Sequence, residues 1–126
     1  MVLNDFEVTK GLMIKSPWID KILAGEKTWE IRGYTTETRG TIALIKSGSG
    51  LIYGLCDIVG VVGPLTKQEL MNGSDRHCIP KEQVGNLVYE VLKYETVYAW
   101  VMENPKPFTQ PVPYNHPSGA VRWVNL

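Results

Sequence analysis

At 126 residues the chain has the length of one domain, since domains run at about 100–150 residues. Its 13 basic and 13 acidic side chains cancel, which excludes a global electrostatic pull on nucleic acid and leaves any such binding to a local basic patch. An apolar share of 44% is enough for a core, yet no run approaches the roughly 20 residues of a membrane-spanning helix and no signal-peptide-like segment follows Met1.

The expectation is therefore one cytoplasmic domain over residues 1–126, with no membrane association. Residues 1–10 are weakly patterned and read as a short lead strand or a partly ordered arm. The run Leu12-Met13-Ile14 is a short buried strand. Lys15-Ser16-Pro17 breaks it. Ser16 is placed to cap the next helix, and Pro17 suits a first helical turn, where its missing N–H costs nothing. The helix is expected over 18–24, with Trp18, Ile19, Ile22 and Leu23 on one face and Gly25 as its stop.

A second strand follows over 28–32. Its period of two puts Thr28, Glu30 and Arg32 on one face and Trp29 and Ile31 on the other. A Thr-rich loop over 33–40 leads to a strand at 41–46, a flexible tip over 47–50 and a long apolar strand at 51–62. Gly54 and Gly60 within it predict bulges or bends. Thr66 and Glu69 form a capping box for a helix at 67–71. Residues 72–80 read as turns. Residues 81–92 have helical composition weakened by Gly85.

A strand is expected at 96–102. Pro105, Pro107, Pro111 and Pro113 then mark an extended edge segment, and a last strand covers 120–124. Short strands, glycine bends and minor helices predict a mixed α/β but mainly β fold, a small barrel with peripheral helices. An open α+β sheet and an oligonucleotide-binding barrel are the alternatives.

The chemistry gathers around the second strand. Glu30 and Arg32 leave it on the same side with Thr28, and Lys27 swings in from the turn. A carboxylate between two cations stays ionised and can hold a donor or take a proton. A partly desolvated lysine can shuttle protons or bind an anion. Read blandly, the same spacing is a surface ion-pair ladder worth about 0–1 kcal/mol. Trp18 is either core or a platform for a base, a contact worth about 1–3 kcal/mol.

Lys15, Lys27, Arg32, Arg39 and Lys46 sit at strand ends that a barrel would gather into a phosphate-binding patch. His116 lies in a polar loop that can border the pocket. His77-Cys78 with a distant His116 lacks zinc spacing, so no metal and no cofactor are expected. Cys56 and Cys78 form no CxxC pair, which suits two thiols in a reducing compartment, with a single disulfide as the alternative.

These residues carry a resemblance. Gly25-x-Lys27-x-x-Glu30-x-Arg32 after a Pro17-Trp18 helix is similar to the signature of the ASCH (activating signal cointegrator homology) domain family, which shares the PUA-like barrel fold. Arg39-Gly40 before the strand 41–46, the run 54–59, Tyr98-Ala99-Trp100-Val101 and the closing Pro111-Val112-Pro113-Tyr114 extend it over nearly the whole chain. The resemblance implies a pocket lined by Lys27, Glu30 and Arg32, and a partner that is RNA, single-stranded DNA or a nucleotide or nucleoside.

Family members include hydrolases, an amidohydrolase acting on acetylated cytidine and a ribonuclease. In the amidohydrolase branch a lysine, a threonine three residues on and a distant glutamate are catalytic. Lys27 matches the lysine and Glu30 stands where the threonine would be. Glu69 and Glu82 are the candidates for the distant glutamate. Pro17-Trp18 is closer to the coactivator-type branch, associated with nucleic-acid binding and transcription coregulation.

Two functions follow. In the first, Lys15, Ser16, Lys27, Thr28, Arg32, Arg39, Lys46 and His116 contact a nucleic acid, Glu30 orients them and Trp18 stacks. In the second, a small hydrolase uses Lys27 and Glu30 as catalytic groups on a modified nucleoside or RNA. A protein-interaction domain is the third reading.

Overall fold

The computed structural model describes residues 1–126. A hairpin of β1 (Val2–Leu3) and β2 (Phe6–Glu7) leads into β3 (Lys10–Ile14), α1 (Trp18–Leu23), β4 (Trp29–Arg32), β5 (Gly40–Lys46) and β6 (Leu51–Val62). A helical excursion follows: α2 (Lys67–Asn72), α3 (Ser74–His77), α4 (Lys81–Gly85) and a π-helical segment, Asn86–Val91. The chain returns through β7 (Tyr98–Pro113) and closes with β8 (Trp123–Asn125).

Six strands form one curled, half-barrel sheet in the order β4-β7-β6-β5-β3-β8. Every pairing is antiparallel except β3 with β5. A parallel pair needs a crossover, and here that crossover, residues 15–39, carries α1 and β4. The curl comes from the two longest strands. Their register slips three times, between Ile52 and Gly54, Leu55 and Asp57, and Ile58 and Gly60. At Gly54 the backbones close up so far that a Cβ would lie 2.6 Å from the Lys106 carbonyl oxygen, so only glycine fits there.

Alternation on β5 divides the core. Ile42 and Leu44 join Leu12, Ile14, Ile58, Trp100 and the α1 residues Ile19 and Ile22 inside the curl. Ala43 and Ile45 face out against Leu3, Val8, Ile52 and Leu55. Burying each isoleucine of α1 contributes about 1.5–3 kcal/mol, which seats the helix over the mouth of the half-barrel. A third cluster joins Trp29, Ile31 and Ala99 to the excursion residues Leu70, Ile79, Val84 and Val88. It pins the excursion to the outer face of β4 and β7.

Several expectations are refined. Residues 1–10 are a lead hairpin whose Leu3 and Val8 are buried. Ser16 does not cap α1 through a backbone bond; its hydroxyl donates to the Asp20 carboxylate. The Thr66–Glu69 capping box forms in full. The turn-rich segment 72–80 contains the helix α3, and the helix expected over 81–92 changes to π-helical winding just after Gly85. The proline segment is continuous with β7 and pairs with β6 on one side only, as an edge must. The last strand begins three residues later than expected, at Trp123. No helix is long and apolar enough to cross a membrane.

Candidate functional site

Register fixes the site. Pairing of β4 with β7 sets Glu30 opposite Trp100 and Arg32 opposite Tyr98. With Trp29 and Ile31 packed outward, Glu30 and Arg32 turn into the curl. Lys27 reaches them from the turn after α1, where the backbone N–H groups of Glu26 and Lys27 both donate to the Lys21 carbonyl. Lys27 is 2% exposed and Glu30 7%. They are not members of a solvated surface ladder.

Glu30 stands between the two cations. Its Oε2 accepts from Arg32 Nη2 at 2.9 Å and Nε at 3.3 Å. Its Oε1 lies 3.8 Å from Lys27 Nζ. Arg32 Nη2 also donates to the Met13 carbonyl at 3.2 Å, and its guanidinium lies over the Trp100 ring at 5.5 Å. Lys27 Nζ donates to the His77 carbonyl at 2.6 Å and sits 5.0 Å from the centroid of the Trp18 ring.

Burial lowers the Lys27 pKa from its ordinary value, and the attraction of Glu30 only partly offsets this. Burial works against the Arg32 charge as well. There Glu30, adjacent and hydrogen-bonded, outweighs it and the pKa is raised. One cation is held firmly, while burial works against the charge of the other.

His77, read from the sequence only as a weak metal ligand, supports the candidate site from behind. It is fully buried. Its Nδ1 accepts from the Ile79 N–H at 2.9 Å, so Nε2 carries the proton and donates to the Leu70 carbonyl at 2.6 Å. Burial lowers its pKa and keeps the ring neutral. The ring clamps α3 in place and so aims the carbonyl that holds Lys27.

The cluster opens into a cavity of about 390 Å³, the size of a small-ligand site. The buried Lys27, Glu30 and half-buried Arg32 form its floor. Trp18, Tyr94 and the aliphatic face of the π-helical segment, with Leu87 and Val91, make the walls. The exposed Lys15 and Arg122 stand at the rim. Four cations and one carboxylate line this space, so a neutral chain carries a local basic site.

A model of the ASCH domain family matches residues 12–112. The chain belongs to the ASCH domain family. Among solved structures, the ASCH protein of Zymomonas mobilis is similar, with a TM-score of 0.70 at 13% identity over 93% of this chain and 86% of that one. A serine-to-alanine variant of the same protein gives 0.69 at 14% identity, over 93% and 87%. A tyrosine-to-phenylalanine variant gives 0.66 at 16%, over 82% and 74%. At such identities the likeness speaks for the fold, which is PUA-like. No curated protein matches the chain.

This ASCH domain leaves other sequence-stated candidates outside the cavity. Arg39 donates to the carbonyls of Thr36 and Thr38 within its own loop. Lys46 lies over the Tyr53 ring at 5.4 Å. His116 bridges the Tyr114 hydroxyl and the Ala120 carbonyl, each at 2.8 Å. Glu69 is the capping-box residue and Glu82 is exposed on α4; neither lines the cavity.

Thr28 borders a second cavity of about 300 Å³ with Cys56, Met102 and the other flank of Lys27. Burial pushes the Cys56 thiol up to about 12, so it is inert at neutral pH. Both cysteines are free. Arg122 and Tyr94, absent from the expected set, join Lys15, Trp18, Lys27, Glu30 and Arg32 in the larger cavity. Their only signal in the sequence is a basic residue just before a strand and a tyrosine just after a helix, too common to single out.

Proposed function

We propose that the domain binds a nucleotide unit of RNA or single-stranded DNA in the cavity above Lys27, Glu30 and Arg32. The observation that carries the reading is the composition of that cavity: a mostly apolar, aromatic-sided space with a cationic majority at floor and rim. Apolar and aromatic walls suit the face of a base, and cations suit a phosphate. The link of PUA-like domains to RNA binding supports the same reading.

Titration of short single-stranded RNA by fluorescence anisotropy over a salt series tests it. Affinity should fall with salt, by a slope of about −0.7 per neutralised phosphate. Arg122→Ala should make that slope shallower. Binding that ignores salt, or no binding to RNA, DNA or nucleotides, would overturn the proposal.

One observation favours hydrolysis as a second reading. The pKa of Lys27 is lowered by burial beside a carboxylate, the condition for an amine that acts as proton shuttle or nucleophile. On that reading, purified protein turns over a modified nucleoside or RNA, and Lys27→Met abolishes turnover while near-ultraviolet dichroism shows the fold intact. A panel of acylated nucleosides and RNA that passes through unchanged would remove it.

A further inference from the structure

The floor of the cavity has unequal hydrogen-bonding capacity. Both hydrogen bonds that Arg32 gives to Glu30 go to Oε2. Oε1 receives no hydrogen bond, since Lys27 Nζ stands 3.8 Å away, beyond bonding reach. Lys27 has one acceptor, the His77 carbonyl, and an ammonium has three protons. A free acceptor and free donors therefore stand side by side at the buried end of a cavity that both residues line. Water can reach these groups through the cavity, and a ligand that displaces it must supply their hydrogen bonds.

We infer that this pair reads a lactam edge, –C(=O)–NH–, such as uracil and guanine present, with the base seated at the floor and the phosphate at the rim. The inference rests on the nucleotide-binding reading above and adds the ligand's orientation and class. The ring N–H donates to Glu30 Oε1, and the adjacent carbonyl oxygen accepts from Lys27 Nζ. Standard amide bond lengths put those two ligand atoms about 2.2 Å apart, so two bonds of about 2.9 Å reach floor groups 3.8 Å apart while splaying only slightly.

A carbonyl oxygen has two lone pairs for the ammonium protons that His77 leaves free, whereas a ring nitrogen has one. A phosphate offers acceptors alone and would set its charge against Glu30. The unopposed rim cations, Lys15 and Arg122, suit it better.

Calorimetric titration with UMP, 3-methyl-UMP, CMP, uridine and ribose 5-phosphate tests the inference on the intact protein. Methylation at N3 removes the donor and leaves both carbonyls. UMP is expected to bind, with 3-methyl-UMP and CMP at least about ten-fold weaker. Uridine should bind more weakly than UMP, and Arg122→Ala should narrow that gap.

Equal binding of UMP and 3-methyl-UMP would overturn the edge assignment while nucleotide binding stood. Equal binding of CMP would overturn the lactam class. Ribose 5-phosphate binding as tightly as UMP would reverse the orientation. If RNA bound and no mononucleotide did, a single unit seated in the cavity would be excluded. If nothing bound, the proposed function would fall as well.

Discussion

Glu30 and Asp57 are carboxylates on two strands that both pair with β7, and they are used in opposite ways. Asp57 commits both oxygens to neutral neighbours: Oδ1 accepts from the Thr41 hydroxyl at 2.8 Å and Oδ2 from the Asn104 amide at 3.0 Å. It is half-exposed, and those hydrogen bonds, Asn104 first, hold its pKa below the ordinary carboxylate value. Glu30 is buried among cations and commits one oxygen, leaving the other toward a cavity. Asp57 is a closed staple between β5, β6 and β7. Unused bonding capacity beside a cavity separates the candidate site from such a staple, more than charge or burial does.

The comparison can be broken at several points. Glu30→Ala leaves Lys27 and Arg32 buried and unpaired, and should cost about 3–5 kcal/mol in denaturant unfolding. A cost near that of Asp57→Ala would erase the distinction. Gly33→Ala comes next. A Cβ there would lie 2.6 Å from the Tyr94 ring, so the wall of the cavity must move, at a cost of about 1–3 kcal/mol. Ligand affinity should drop with it, while the Asp57 staple is untouched.

Acid separates the two regions by pH. Burial depresses the His77 pKa below its ordinary 6.5. The unfolded chain thus takes up a proton, as pH falls through 6.5, that the folded chain refuses, and stability present above that pH is lost on the way down to the folded value. Asp57 is depressed below its ordinary 3.8, so its contribution is lost only as pH falls below about that value. Unfolding free energy measured against pH should show two descents, the upper one absent in His77→Gln and the lower one absent in Asp57→Asn. The smallest effect belongs to Asp57→Ala at neutral pH. Two partly solvated hydrogen bonds predict about 1 kcal/mol and unchanged ligand binding.

Strand periodicity made the centre of the site legible. The alternation of Trp29 and Ile31 with Glu30 and Arg32 needs no partner to be read, and the β4–β7 register places them as that alternation requires. The long strand β6, the α1 face and the Thr66 capping box are likewise local signals, and all three form. What escaped is non-local. Arg122 reaches the rim because Met13 N donates to its carbonyl, a bond between β3 and the approach to β8. No local pattern announces such a pairing. Arg39 and Lys46 looked equivalent to Lys27 by charge and His116 lay in a loop able to border the pocket, yet each meets a nearby partner first. Polar side chains in loops commonly bond to adjacent backbone. The π-helical winding after Gly85, which turns Leu87 and Val91 toward the cavity, has no simple composition rule behind it.

The β3–β8 pairing has a consequence for assembly. Ribosomes deliver the residues Lys27, Glu30 and Arg32 early, whereas the β7 strand that sets their register and the outer cation Arg122 come much later. Contacts of such long sequence separation are slow to form. A nascent chain thus holds Lys27, Glu30 and Arg32 well before β7 pairs with β4 and Arg122 docks beside Met13, and the cavity should close around them late, as a timer built into chain order.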